Sequence, residues 1–467
     1  MSLARRTVLG LLVTCLVAGL LMLLLEPGGA AAQTAGKLAG QRWYQLSLGD
    51  RSIGYYSSDS GRRSDGSFGF ATELRFALTE GGAVTVRDSY RFAAAEPHRL
   101  LEASHELRRD SDALSVHVTV TDNGFEATIR RNADVSRRDL DWDYTLADYL
   151  AVEHWLARQT PPIGARVTTR SLNLGRLVME REVYELTGRD AAGFELRNPA
   201  MVEDTRIRLN RQLIPEQFRL AGVFDLVRVD RQQALKTPEP LAAVSYRAPL
   251  DRTLQRTSEL KRLDLRVETG TSLTLPDPLV LRDNPVVPDE GGNYLAATLE
   301  HPSDHPRLQR LVRDLGYQQP AATPAAATTR VRELVSYVHR FIRYDTGNEH
   351  MPVLEVLRER RGDCTEYADL FTSLARAAGI PARTIIGMAY TEEDGPALAF
   401  HAWNQVLLGE RWQAVDPTWD QFRVDATHWP LPTDDRTALM LLTGQAELSF
   451  AVLATEYHDG TVFGAGR

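Results

Sequence analysis

The stretch Arg361-Gly362-Asp363-Cys364-Thr365-Glu366-Tyr367 decides how this chain is read. Behind it Leu370, Phe371, Leu374 and Ala378 recur at helical spacing, Gly379 ends the run and Pro381 prevents its continuation. Asp363 is a good N-cap, so Cys364 falls in the first turn of a helix. There the unpaired N–H groups and the helix dipole favour a thiolate, the nucleophilic form of cysteine. Cys364 is therefore expected to be accessible and more reactive than an ordinary thiol near neutral pH, with the charge of Asp363 working against it.

Upstream, Val331, Leu334, Val335, Val338, Phe341 and Ile342 predict one helix, and a short helix is expected over Val353–Arg361, stopping at Gly362. Downstream, strands are expected at Arg383–Met388, Phe400–Leu408 and Arg411–Val415, with Gly409-Glu410 as a hairpin turn. Helices followed by an antiparallel sheet make an α+β unit. The hairpin puts His401 and Asp416 on adjacent strands at nearly mirrored distances from the turn. The carboxylate can then orient the imidazole, and the imidazole can face the thiol. Cys364, His401 and Asp416 are the candidate catalytic residues. The Cys364 backbone N–H, at the helix start, is a candidate oxyanion donor; no second donor is identifiable.

The remainder of the chain reads differently. Apolar residues alternate with polar ones at Leu74–Leu78, Leu114–Val120, Leu177–Leu186 and Phe218–Val229, with a turn at Asp122-Asn123-Gly124 and a helix from about Leu146 to Arg158. Residues 40–285 are thus expected to form a β-rich domain, and 328–467 the catalytic one. Pro276, Pro278, Pro285 and Pro288, with the Pro/Ala-rich run 320–327, mark a linker over 286–327. Arg5 and Arg6 precede an apolar run from Thr7 to Leu25, with Ala30-Ala31-Ala32 beyond it. Residues 1–32 therefore read as a signal peptide or an N-terminal membrane anchor. The expected location is the periplasm or cell envelope, with residues 7–25 as a candidate anchor in the inner membrane.

The chain has 467 residues and a net charge of -8, with no basic block, so no nucleic-acid partner is expected. Two cysteines, Cys15 and Cys364, exclude a disulfide framework and any multi-Cys zinc site. No cofactor and no metal site are expected. His301 and His305 have i,i+4 spacing, but Pro302 and Pro306 argue against a helix there; His105-Glu106 lacks a second His. His428 could stand near the site but reads first as a loop histidine, and Trp403 and Trp412 read as packing residues.

Gly362-Asp363-Cys364 opening a helix, Ala378-Gly379-Ile380-Pro381-Ala382-Arg383 after it, His401-Ala402-Trp403, and Trp412-x-x-x-Asp416-Pro417-Thr418 together resemble the transglutaminase-like superfamily of cysteine amidases. Trp43, Gly49 and Ile53-Gly54-Tyr55, with Asp425-Ala426-Thr427-His428 and Leu442-Thr443-Gly444, look like traits of its bacterial envelope members. The resemblance implies a papain-related core, a nucleophile helix packed on an antiparallel sheet, behind a β-rich N-terminal domain. It also implies acyl transfer from a peptide or protein substrate. Hydrolysis ranks first, because water is the default acceptor; transamidation uses the same three residues. A non-catalytic scaffold would have no need of them. The β-rich domain is expected to position substrate or bind a partner protein.

Overall fold

The computed structural model describes Ala35 and residues 38–464, apart from 79–81, 110–111, 123, 200–204, 221, 242–246, 271–274, 289–290, 318, 320, 346–350, 432–439, 442 and 444–445. The leader with Cys15, the turn residue Asn123, and positions 442 and 444 of the Leu-Thr-Gly trait lie outside the described residues. Among the described residues no helix is long and apolar enough to cross a membrane. The chain divides into two compact units, one ending at Ala242 and the other running from Ala243 onward.

The N-terminal unit is built on one antiparallel sheet of 14 strands. Strands β1 (Gly40–Leu48), β2 (Arg51–Arg62), β3 (Phe68–Ala77), β4 (Ala83–Phe92), β5 (Leu100–Arg109), β6 (Asp112–Thr121), β7 (Gly124–Arg131) and β8 (Asp134–Leu140) form a continuous meander. A second meander runs from β9 (Arg166–Asn173) to β14 (Phe224–Val229), which pairs with β1. The alternation seen in the sequence is the alternation of burial: Leu74 and Phe76, and Leu114, Val116 and Val118, all point inward. The expected helix at 146–158 is two, Leu146–Tyr149 and Ala151–Gln159. The first starts with a capping box between Thr145 and Asp148, and the ladder breaks at Leu150. Their apolar members Leu150, Val152 and Trp155 are buried, as expected.

In the C-terminal unit, β20 (Ala382–Thr391) and β21 (Ala397–Leu408) pair along their length, and β22 (Arg411–Val415) folds back on β21 through the expected hairpin. The helix Cys364–Ala377 packs against this sheet. Its Leu370, Phe371 and Leu374 are wholly buried, with Val331, Leu334, Val335 and Val338 of the helix Pro324–Phe341 on one side and Val406 and Val415 of the sheet on the other. Each such side chain contributes roughly 1.5–3 kcal/mol on burial, so this core fixes the helix against the strands that carry His401. A second sheet joins β16 (Leu260–Thr269), β17 (Leu279–Arg282), β24 (Leu448–Tyr457) and β25 (Val462–Gly464).

The domain boundaries expected from proline content are corrected. Residues 286–327 are no linker, and the strands before 285 do not all belong to the β-rich unit. β15 (Arg247–Pro249) pairs directly with β21, the strand of His401, and β16 pairs with β24. Proline-rich backbone lacks N–H donors but keeps its carbonyls, and those of Pro285, Val287 and Pro288 accept from the side chains of Gln405 and Arg383. His305 and Pro306 open the helix Pro306–Asp314, whose Leu308 and Val312 are buried. Proline disfavours helix before itself and suits its first turn, so 301–305 is not helical, as expected from Pro302 and Pro306, and the helix starts at Pro306. Likewise Thr323 caps a helix that starts at Pro324, so half of the Pro/Ala-rich run is helical.

Candidate active site

The motif around Cys364 is one interlocked cap. The Asp363 carboxylate accepts from the Thr365 N–H at 3.0 Å, and Glu366 reaches back to the Asp363 N–H at 2.7 Å. The other Glu366 oxygen accepts from the Met351 N–H at 3.0 Å, which ties down the preceding segment. A Cβ at Gly362 would fall 2.4 Å from Cβ of Glu366, so this close approach requires glycine. Asp363 and Glu366 are both fully buried.

On the sheet, His401 Nε2 lies 2.9 Å from Asp416 Oδ2. The other Asp416 oxygen accepts from the Thr418 N–H at 2.7 Å, and backbone bonds of 2.7 and 2.8 Å link Asp416 with Gln421. Burial pushes the Asp416 carboxyl up, but the charges and hydrogen bonds of His401 and His428 outweigh it and hold the group well below the usual carboxylate range. With its Nε2 engaged as donor, the His401 ring leaves Nδ1 as its basic nitrogen.

The helix start and the strand meet at the thiol. The N–H of Ala402, the residue after His401, donates to Cys364 Sγ at 3.3 Å, and Ala368 and Ala402 pack against the same side chain. Two residues on, Asn404 Nδ2 donates to Ala368 O at 2.9 Å and Thr372 Oγ1 at 2.8 Å, locking β21 to the helix. The expectation of an accessible thiol is overturned: Cys364 has 0% of its surface exposed. Burial first, then the charge of Asp363, pushes the thiol well above its ordinary value, against the pull of the Ala402 N–H. A helix start favours an anion only while that anion keeps solvent or a counter-charge, and β21 covers this one.

Two residues not singled out for the site belong to it. His428 lies in a loop, as expected, but is fully buried there: Nε2 faces Asp416 Oδ2 at 3.4 Å and Nδ1 faces Asp425 Oδ1 at 3.3 Å. The signal was the Asp425-Ala426-Thr427-His428 run, noted for resemblance but given no role. Trp419 stacks on the His401 ring, 4.2 Å between centroids at 11°, and covers it while 41% exposed. Nothing in its spacing marked it out. Trp403 is buried 6.1 Å from His401, and a Cβ at Gly387, the partner of His401 on β20, would meet the indole at 2.4 Å. Trp412 packs edge-on against Tyr294. His301 bonds Asp369 and Thr384 behind the helix, while His305 caps the helix after it. Among the described residues one trio of potential metal ligands converges within 4.8 Å: His401, Asp416 and His428.

Residues 315–417 match the transglutaminase-like superfamily, a span that holds Cys364, His401 and Asp416 and stops short of His428. Kyphoscoliosis peptidase of Mus musculus is 31% identical over 109 residues, and that of Homo sapiens 31% over 107. Each match covers 21% of this chain and 16% of the relative, so the chain spans about a sixth of the curated relatives' length. Among solved structures, a candidate cysteine protease from Cytophaga hutchinsonii aligns over 47% of this chain and 84% of its own, at 18% identity and a TM-score of 0.25. A DUF1089 family protein from Pseudomonas aeruginosa aligns over 36% and 91%, at 15% identity and a TM-score of 0.22. Scores this low establish no shared fold.

Proposed function

We propose that the protein is an exported, cysteine-dependent amide or peptide hydrolase with a papain-related core, acting on peptides or proteins of the cell envelope. The observation that carries this reading is the Ala402 N–H on Cys364 Sγ, next in sequence to a histidine held by Asp416. His401 Nδ1 takes the thiol proton and Sγ adds to the carbonyl carbon. The tetrahedral oxyanion collapses, the C–N bond breaks, and His401 returns the proton to the leaving amine. Water then attacks the thioester with His401 as base, releasing the acid and the free thiol. Asp416 fixes the tautomer and balances the imidazolium. The name of the mouse and human relatives, peptidase, agrees with this over the shared segment.

Complete burial of Cys364 favours a second reading, transamidation, in which a protein amine reaches the thioester before water does. In either case the β-rich unit positions substrate or binds a partner protein, and residues 7–25 serve as signal or inner-membrane anchor. The test is mass spectrometry of peptide and amine-donor mixtures incubated with the protein and with Cys364→Ala. Products shifted by water support hydrolysis, and products shifted by amine support transamidation. No difference between wild type and Cys364→Ala would leave only a scaffold.

A further inference from the structure

Two histidines face Asp416, and acyl transfer uses only His401. His428 is the unexplained one. Both of its ring nitrogens face carboxylate oxygens, Nδ1 toward Asp425 and Nε2 toward Asp416. Neither carboxylate is free to donate a proton in return. Asp425 Oδ1 already accepts from the Thr427 N–H at 2.9 Å and its hydroxyl at 2.6 Å, and Oδ2 from Gln421 Nε2 at 2.8 Å. Asp416 accepts from the Thr418 N–H and from His401. A neutral imidazole has one N–H and one lone pair, so it would set a lone pair against one of these oxygens. An imidazolium satisfies both.

We propose that His428 is an imidazolium throughout the neutral range, a buried positioning residue that clamps Asp416 to Asp425 and shares the Asp416 charge with His401. The charged groups facing it are Asp416 and Asp425. His401 lies 5.6 Å away edge-on, and Trp403 and Trp419 supply ring faces at 5.1 Å. Burial lowers its proton affinity, but the hydrogen bonds it donates to the two carboxylates, and their charges, outweigh this and push it up to about 9. Two carboxylates and one cation leave the cluster one negative charge, and that charge is what the His401 imidazolium meets. Without His428, Asp416 would present its full charge to His401 alone. The tuning of His401 rests on the acyl-transfer reading; the protonation of His428 does not.

The test is nitrogen-15 NMR of the histidine rings in the full chain, which needs no substrate. One histidine, absent in His428→Gln, is expected to keep both nitrogens protonated from about pH 5 to about pH 8, across the range where an ordinary imidazole titrates. In His428→Gln, which keeps a donor toward Asp416 without the charge, the Asp416 carboxyl, followed by carbon-13 NMR, is expected to titrate at higher pH than in wild type. In Asp425→Asn the His428 signal is expected to titrate inside the window, which identifies it should His428→Gln not fold. A single protonated nitrogen on His428 at neutral pH would overturn the proposal, as would an Asp416 carboxyl that titrates alike in wild type and His428→Gln. So would native mass spectrometry showing a divalent metal that wild type carries and His428→Gln loses. Loss of turnover with the NMR pattern intact would count against the enzyme reading alone.

Discussion

Each unit of the molecule contains a buried histidine–aspartate pair on an antiparallel sheet, and the two pairs are nearly the same at first sight. His105 Nδ1 lies 2.8 Å from Asp88 Oδ1, and His401 Nε2 lies 2.9 Å from Asp416 Oδ2. In both the side chains are almost wholly buried. The difference is in the company. Asp88 and His105 are direct cross-strand partners on β4 and β5, and the far edge of the His105 ring abuts the backbone at Gly175. Asp416 sits just past the end of β22, where a turn frees its side chain, and β21 brings its own backbone N–H to a thiol at a helix start. A buried imidazole–carboxylate pair is a structural unit by default. It takes a nucleophile held in register to make it a candidate for chemistry.

The sharpest way to break that comparison is to remove the imidazole from each pair. His401→Ala is expected to lower Cys364 acylation by at least roughly 10³-fold, since the thiol proton loses its acceptor. His105→Ala is expected to leave acylation per folded molecule unchanged and to destabilise the N-terminal unit by about 1–3 kcal/mol, because Asp88 stays buried without its partner. Denaturant unfolding with acyl-enzyme mass spectrometry reads both. Equal losses of acylation in the two variants would dissolve the distinction. One step down, Asp416→Asn should cost roughly 10²- to 10⁴-fold in turnover, because the imidazole survives in a less favoured tautomer while the fold is kept.

Much of the second pair's setting was legible in the sequence, for definite reasons. Asp363, Gly379 and Pro381 bound a helix through local chemistry, and the Gly409-Glu410 turn fixed the register that brings 401 near 416. What escaped was long-range. The expected linker over 286–327 fails because proline content says nothing of long-range partners: Arg383 and Gln405 bind the carbonyls of that segment. The burial of Cys364 escaped because helical spacing says which face is covered, not whether a strand also closes the first turn. His428 escaped because its partners, Asp416 and Asp425, are charged, and nothing local says that two carboxylates will be buried around it.

The pH dependence of stability separates the pairs next. His428 holds its proton up to about 9 in the folded state, whereas an unfolded imidazole releases it near about 6.5. The folded chain therefore binds more protons across that interval, and stability falls as pH rises through it. The contribution is fully present below about pH 6.5. Asp416 works in the opposite sense: its depressed carboxyl stabilises above the unfolded value of about 4 and loses this as pH falls further. Melting temperatures are expected to decline from about pH 6.5 to about 9 in wild type and to be flatter in His428→Gln. A wild-type profile with no such decline would remove the cation from the C-terminal cluster and leave the two units alike.

The smallest expected effect lies at the cap of the Cys364 helix. Asp363 does two things of opposite value: its carboxylate accepts the Thr365 N–H, and its charge pushes the adjacent thiol up. Asparagine keeps the first and removes the second, because its side-chain oxygen caps about as well as aspartate. Asp363→Asn is therefore expected to cost less than about 1 kcal/mol while lowering the pH at which Cys364 becomes alkylated by a small neutral reagent. The comparison that decides it is the pH–rate profile of alkylation, since enclosure by β21 slows the reagent equally in both proteins and leaves the midpoint to report the charge. A midpoint that stays in place, or moves up, would mean that burial alone sets the thiol and that the acidic cap serves the helix and nothing else.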